Sequence, residues 1–335
     1  MNTLGRIFRV SLWGESHGPA VGALIDGCPA GIGLRPEDFI KDLARRKSGR
    51  TGTTARQETD RPMLDSGVFR NRTTGSPIIV RFGNADTASG DYDLINKYPR
   101  PGHADLPAYQ KFHGFNDHRG GGHFSGRLTV GLVAAGVIAK KLLPRVKFKA
   151  TLISVGGSKD IGASVAKAVA ANDSVGGLVE CRITNLPCGW GEPFFDSTES
   201  LLSHILFSIP GVKAIEFGDG FASASMCGSR YNDPIVSLTG RTSTNHCGGI
   251  NGGLTNGNEL VLRLAIRPTA TIGQKQQTIN KNTGKLTAVN FGGRHDACIA
   301  LRVPVVVEAA CAIVMADLLL AHQAVNGTGL KQRKL

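Results

Sequence analysis

The sequence has few aromatic residues and no paired cysteine motif. Phe, Trp and Tyr make up 6% of its 335 residues, and the seven cysteines, an odd number, include no CxxC pair. The spacing therefore predicts neither a zinc site nor a disulfide framework, and it favours a reduced, cytoplasmic protein. The histidines form no i, i+4 helical pair and no carboxylate triad accompanies them, which disfavours metal binding.

Long hydrophobic runs free of charge are also missing. The longest apolar stretch, 303–321, contains Glu308 and Asp317, so it predicts a buried or interface helix rather than a membrane span. The first ten residues, MNTLGRIFRV, carry arginines where a signal peptide would have its apolar region. We expect no membrane association.

The net charge of +13 suits a partner that is nucleic acid, acidic lipid or a small anion. A nucleic-acid surface would combine a basic stripe with stacking aromatics, and no such stripe is present. Single arginines instead stand among Gly, Ser and Thr, where their planar forks suit phosphate and carboxylate groups. They include Arg45, Arg46, Arg50, Arg56 and Arg61. A generally basic, solvated surface is the alternative.

Apolar patterning predicts strands and helices without a regular βαβ alternation. The predicted strands are 20–26, 77–82, 147–155, 178–184, 213–217 and 259–266, and the predicted helices are 35–47, 127–143, 196–207 and 304–322. Residues 48–61 and 83–100 are polar and predict long loops. No linker is evident, so we expect a single α+β domain over 1–325, followed by a flexible basic tail, 326–335.

Three histidines stand in glycine-flanked loops beside a carboxylate. The motifs are GESHG (14–18), RPGHAD (100–105) and GGRHDAC (292–298). A histidine in such a loop can reach a ligand and exchange a proton near neutral pH. Their spread along the chain predicts one active site assembled by folding. For each histidine taken singly, a hydrogen bond within its own loop is the alternative.

Two glycine-rich loops are further candidates for ligand contact. RGGGH (119–123) precedes a predicted helix, and glycines leading into a helix expose N–H groups that bind phosphate. NHCGGINGG (245–253) is flexible enough to pass close to a flat ligand. The alternatives are a hinge in the first loop and a pair of tight turns in the second.

These motifs, in this order and at these distances, resemble those of the chorismate synthase family over nearly the whole chain, from Leu4 to His322. Further matches are DGxPAG (26–31), RR at 45–46, GWGEPFFD (189–196), GDGF (218–221), NHCGG (245–249) and RPTATI (267–272). The resemblance implies a β-α-β sandwich that assembles as a homotetramer. It also implies an anti-1,4 elimination of phosphate from 5-enolpyruvylshikimate 3-phosphate to give chorismate. The family requires reduced FMN without net redox change.

The resemblance also implies roles for individual residues. His17 would keep the reduced flavin protonated, His103 would protonate or stabilise the departing phosphate, and Asp296 would assist flavin N5 in removing the C6 proton. Ser16 and Ser125 match serines that relay protons. The implied FMN contacts are His123, Phe124, Ser125, His246, Cys247, Gly252, Arg267, Pro268, Thr269, Ala270, Thr271 and Arg294. The implied substrate contacts are Arg45, Arg46, Arg50, Arg100, Arg127 and Arg294.

The chain departs from the family pattern at several of these positions. His123 replaces an arginine, Leu128 a glutamate and Ala270 a frequent serine, whereas Arg267 replaces a lysine and keeps the charge. None of these changes removes an implied catalytic residue, so we expect an active enzyme.

Some family members reduce flavin with NADPH themselves. This sequence shows no added reductase region, so we expect an external flavin reductase or another supply of reduced FMN. The rival interpretations are a flavin-binding relative that has lost the elimination, a basic RNA-binding protein and a metal-dependent hydrolase.

Overall fold

The computed structural model describes residues 2–86, 93–292 and 295–325 of the chain. The predicted tail, 326–335, and the predicted ligand contact Arg294 lie outside the described residues.

The strands and helices alternate irregularly along the chain. The strands are β1 Thr3–Leu4, β2 Arg9–Gly14, β3 Ala20–Asp26, β4 Met63–Ser66, β5 Val68–Phe69, β6 Arg72–Thr73, β7 Ile78–Gly83, β8 Lys147–Val155, β9 Gly177–Thr184, β10 Val212–Phe217, β11 Ile250–Asn251, β12 Leu254–Thr255, β13 Leu260–Ile266, β14 Gln276–Ile279 and β15 Leu286–Val289. The helices are α1 Ile40–Arg46, α2 Asp93–Lys97, α3 Asp105–Lys111, α4 Thr129–Leu142, α5 Ile161–Ala170, α6 Thr198–Leu206, α7 Gly228–Tyr231 and α8 Val303–Val325.

Two antiparallel sheets form the outer layers. The first has the strand order β1-β2-β3-β7-β4 and the second β10-β13-β9-β8. In β3, Val21, Ala23 and Ile25 are fully buried, as the two-residue period of a strand with one face on a core requires. Both sheets therefore turn an apolar face inward.

Helices α4 and α8 fill the space between the sheets. Helix α4 packs on β3 and β7, α8 packs on β8 and β9, and the two helices pack on each other. They approach so closely that a Cβ atom on Gly136 would lie 2.3 Å from the Cβ of Ala309, so only glycine fits there. The prediction of an α+β fold with a β-α-β sandwich is confirmed.

Helix α8 is long and apolar enough to cross a membrane by length and composition alone. Its apolar segment is 83% buried inside the protein, and a helix surrounded by other elements is apolar on all sides. Its two acidic residues have internal partners: Asp317 accepts the backbone N–H groups of Arg6, Ile7 and Phe8, at 2.9, 2.7 and 2.8 Å. Asp317 thereby fixes the start of the first sheet to the central helix.

Four helices, α2, α3, α5 and α7, were not predicted from the sequence. Helix α2 interrupts the predicted loop 83–100, and α5 was not predicted, although the side chain of Asp160 caps it by accepting the N–H of Ala163 at 3.0 Å. The loop 48–61 was predicted correctly, since no helix or strand forms there. It crosses the face where the functional loops meet.

Candidate active site

A cavity of about 460 Å³ opens where loops from both halves of the chain converge. Segments around 46–60, 100–103, 120–129, 209–211, 267–271 and 295–306 contribute to its walls. Cationic residues outnumber acidic ones among the lining residues. The cationic residues are Arg46, Lys47, Arg56, Arg100, Arg127, Arg267 and Arg302, and the acidic ones are Glu58, Asp60 and Asp296. The cavity is suited to a ligand with several negative charges.

The RPGHAD loop places His103 in this cavity and holds its side chain in a fixed orientation. Asp105 accepts from Arg100 Nε at 2.8 Å and Nη2 at 2.9 Å, and it lies 2.6 Å from Nδ1 of His103. Arg100 Nη1 also donates to Thr271 at 3.0 Å. Burial raises the pKa of the Asp105 carboxyl, but the hydrogen bonds from Arg100 and His103 outweigh it and the net pKa is lowered. An ionised Asp105 therefore orients the imidazole of His103.

Asp60 joins two of the arginines at another wall of the cavity. Its carboxylate accepts from Arg46 Nη2 at 2.6 Å and also from Arg127 Nη1. All three side chains are buried. Burial acts to raise the pKa of Asp60, yet the charges of the two arginines leave it lowered. The Asp60 carboxylate thus holds two guanidinium groups side by side, and the three side chains together carry a net positive charge.

Asp296, from the GGRHDAC loop, is fixed by two donors. Arg302 Nη2 donates to Oδ2 at 2.7 Å and the backbone N–H of Thr54 donates to Oδ1 at 3.0 Å. His295 lines the cavity beside it. The third histidine loop therefore reaches the same cavity as the second.

The GESHG loop lies behind the glycines of RGGGH. Gly120, Gly121 and Gly122 all have positive φ, and a Cβ on Gly120 would lie 2.4 Å from the ring of His17. His17 is consequently buried beneath a cavity-lining glycine. The two loops are joined because Nδ1 of His123 lies 2.8 Å from the carbonyl oxygen of Gly14.

Several polar atoms on the cavity wall lack a partner within the described part of the chain. Arg46 Nε, Arg302 Nε and Thr269 Oγ1 are buried and make no hydrogen bond there. A buried unsatisfied donor is costly, and a bound anion would satisfy these groups.

The structure brings most of the predicted site residues to this cavity. Of the predicted cofactor contacts, Phe124, Ser125, Arg267, Thr269, Ala270 and Thr271 line it, and Pro268 lies between two of these residues. Of the predicted catalytic residues, His103, Asp296 and Ser125 line it, while Ser16 accepts from Ser125 at 3.2 Å. The predicted substrate contacts Arg46, Arg100 and Arg127 line it as well.

Two predicted substrate contacts do not line the cavity. Arg45 instead forms a two-point pair with Glu308 of α8, at 2.6 and 2.7 Å, because the helical turn directs its side chain away from that of Arg46. Glu308 is buried and also accepts the N–H of Ala150. Arg50 is exposed and is absent from the cavity wall. The pairing with Glu308 disfavours a substrate contact for Arg45.

The NHCGGINGG loop also lies away from the cavity wall. His246 Nδ1 lies 2.7 Å from Asp219, and the N–H of Cys247 donates to Asp233 at 2.9 Å. Gly252 is not a lining residue either. This cavity therefore gives no support to the predicted FMN contacts of His246, Cys247 and Gly252.

Sequence reasoning named Arg56 only as one of the dispersed arginines, and it missed three further residues that shape the site: Glu58, Asp60 and Arg302. A signal was present for Glu58 and Asp60, since residues at i, i+2 and i+4 share a face of an extended segment. For a fully extended segment, that spacing predicts that Arg56, Glu58 and Asp60 lie on one side of the loop. Within residues 2–86, 93–292 and 295–325, no group of three or more His, Cys, Asp and Glu side chains is placed to hold a metal ion.

The fold and the cavity together define an α+β protein whose cationic cavity, lined by acid–base side chains, is suited to an anionic ligand. Comparisons with known proteins specify the family. A chorismate synthase family model matches residues 8–320. The chain is 55% identical over 327 residues to a chorismate synthase of Chitinophaga pinensis, covering 97% of this chain and 98% of that one. It is 44% identical over 350 residues to a chorismate synthase of Thermococcus kodakarensis, covering 96% and 99%.

A solved structure described as a crystal structure of chorismate synthase shares the fold. It superposes with a TM-score of 0.73 at 23% identity and covers 95% of this chain and 93% of its own. The chain belongs to the chorismate synthase family.

Proposed function

We propose that this protein eliminates phosphate from 5-enolpyruvylshikimate 3-phosphate to give chorismate, with reduced FMN as cofactor. The observation that carries the proposal is the shared cavity. Three arginines held by buried carboxylates, Arg46, Arg100 and Arg127, line the same space as His103 and Asp296. Substrate and cofactor both carry phosphate, and the substrate carries carboxylates, so this charge distribution is the one they require.

The residues present fit a flavin. The cavity has an apolar stretch of wall, formed by Ile209, Pro210, Ile299, Val303 and Val306, that suits a flat ring system. The unpartnered donors described above suit the phosphate and ring oxygens. When bound, reduced FMN supplies electron density that eases cleavage of the substrate C–O bond.

The side chains that line the cavity have different roles in the reaction, according to where they lie. His103, oriented by Asp105, donates a proton or a hydrogen bond to the departing phosphate, where negative charge accumulates. Arg100 lies 3.0 Å from the same imidazole and adds a fixed positive charge. Asp296, held by Arg302 and Thr54, provides a carboxylate in the same cavity to receive a proton.

Residues of the loop 48–61 line the cavity, and closure of this loop over bound ligands would exclude water and strengthen each of these electrostatic contacts. We propose that it opens to admit the ligands. We further propose a cytoplasmic homotetramer supplied with reduced FMN by an external reductase. The exposure of adjacent Phe194 and Phe195, 85% and 92%, supports self-association, since exposed apolar patches mark interaction surfaces.

The deciding experiment is phosphate release from 5-enolpyruvylshikimate 3-phosphate without oxygen. We expect release with chemically reduced FMN and none with oxidised FMN or without flavin. Folded protein that binds FMN but releases no phosphate would instead support the flavin-binding relative that has lost the elimination.

A further inference from the structure

Arg56, from the loop 48–61, donates two hydrogen bonds to Ser16. Its Nη1 donates to the Ser16 hydroxyl at 2.7 Å, and its Nη2 donates to the Ser16 carbonyl oxygen at 2.9 Å. The family resemblance implies proton relay for Ser16 but no role for Arg56. A two-point contact from an always-charged guanidinium restricts both the backbone and the hydroxyl of Ser16.

Arg56 is itself held in place. Glu58 Oε1 accepts from Arg56 Nη2 at 2.7 Å and from Nε at 3.1 Å, while Oε2 accepts the N–H of Ala85 at 2.9 Å. The Arg56 and Glu58 side chains are 16% and 5% exposed. The guanidinium is therefore fixed between a carboxylate and Ser16.

The hydrogen-bond capacity of a hydroxyl determines what Ser16 can do. A serine oxygen has two acceptor lone pairs and one proton to donate, whereas a guanidinium has no acceptor. Ser16 Oγ accepts from Arg56 and also from Ser125 Oγ, at 3.2 Å. Both lone pairs are then occupied, so the Ser16 proton points to a third neighbour.

The His17 ring lies close to the Ser16 hydroxyl. A Cβ on Gly120 would lie 2.7 Å from Ser16 Oγ and 2.6 Å from His17 Nε2, so both atoms face the same glycine. Ser125 lies on the cavity wall. The order Ser125, Ser16, His17 therefore runs from the cavity to the buried histidine.

We propose that Arg56 is a positioning residue that sets the direction of proton transfer through Ser16. Ser16 passes its hydroxyl proton to the His17 side and takes one from Ser125, which regains a proton from the cavity. Each transfer breaks one bond to hydrogen and forms another, with no redox change. The inference rests on the proposed function, because it needs a proton-requiring step at this site.

The test is a double-mutant cycle on phosphate release with Arg56→Gln, Ser16→Ala and the double variant. Arg56→Gln should lower kcat about 10- to 100-fold, the scale of a hydrogen bond from a charged donor, with the substrate KM changed less than about threefold. Its pH profile of kcat should superimpose on that of Ser16→Ala. In the Ser16→Ala background, Arg56→Gln should change kcat by less than about twofold.

Arg81→Gln is the matched control, because Arg81 pairs with Asp65 on the surface away from the cavity. It should leave kcat and KM unchanged. If Arg56→Gln does not fold, as judged by thermal unfolding, Glu58→Gln replaces it. This variant loosens Arg56 and should give a smaller loss of kcat that disappears in the Ser16→Ala background.

The outcomes separate the two proposals. Independent, multiplicative losses of kcat from Arg56 and Ser16, in a protein whose unsubstituted form releases phosphate, would overturn the role of Arg56 alone. Absence of release by the unsubstituted protein with reduced FMN would overturn the proposed function and this inference with it.

Discussion

The backbone N–H of Thr54 donates to Oδ1 of Asp296 at 3.0 Å, across 242 residues of sequence. The neighbouring carbonyl of Gly52 accepts the N–H of Cys298 at 3.1 Å. The loop 48–61 is thus attached to the GGRHDAC loop and, through Arg56, to the GESHG loop. It contributes contacts to both candidate proton-transfer regions.

Replacing 48–61 with a short glycine–serine linker should therefore raise the substrate KM strongly and lower kcat, because the cover, Arg56 and Asp60 are lost together. Steady-state phosphate release measures both constants. Kinetics equal to those of the intact protein would rule out a role for the loop in closure. Removal of 326–335 is the control, because it shortens the chain and leaves the loop 48–61 intact.

His103→Ala and His17→Ala should each lower kcat by about 10²-fold or more, the usual contribution of one acid–base group. Of the two, His103 lines the cavity and His17 is buried, so addition of imidazole should restore part of the activity of His103→Ala only. Near-normal turnover in both variants would show that the two histidine loops carry no proton-transfer function. His322, at the end of α8, provides a control substitution outside the cavity.

Arg45 and Arg46 are adjacent but should behave differently when replaced by methionine. Arg46→Met should raise the substrate KM, because Arg46 lines the cavity beside Arg127. Arg45→Met should lower the melting temperature with little change in KM, because it leaves the buried Glu308 without its closest charged partner. Equal increases in KM from the two substitutions would instead support a substrate contact for Arg45.

Acid stability should depend on Asp105. The folded-state pKa of its carboxyl is lowered, so its contribution is fully present above the unfolded value of about 4 and is lost as pH falls toward the folded pKa. The melting temperature should therefore fall less steeply below about pH 4 in Asp105→Asn than in the unsubstituted protein. Asp65→Asn, on the exposed pair with Arg81, should alter the slope less, because surface ion pairs contribute little. Identical slopes for Asp105→Asn and the unsubstituted protein would contradict this contribution of Asp105 to acid stability.

Local signals in the sequence predicted much of the fold. The strand 147–155 follows from its apolar and β-branched residues, and α6 from its amphipathic pattern and its Ser197 cap, which accepts the N–H of Ser200 at 3.1 Å. Helix α2 was missed because its five residues are too short for a hydrophobic period to show. The pairing of strands into two sheets depends on long-range contacts that no local pattern specifies.

The sequence by itself determined the types of side chain available: histidines beside carboxylates in glycine loops, and arginines dispersed among small polar residues. Tertiary structure decided which of them share a cavity. It directs Arg46 inward and Arg45 to Glu308, although they are neighbours in the sequence, because successive helical side chains point about 100° apart. It likewise joins Arg56 to Ser16, since a hydrogen bond requires atoms to meet within about 3 Å and only the folded chain brings them together.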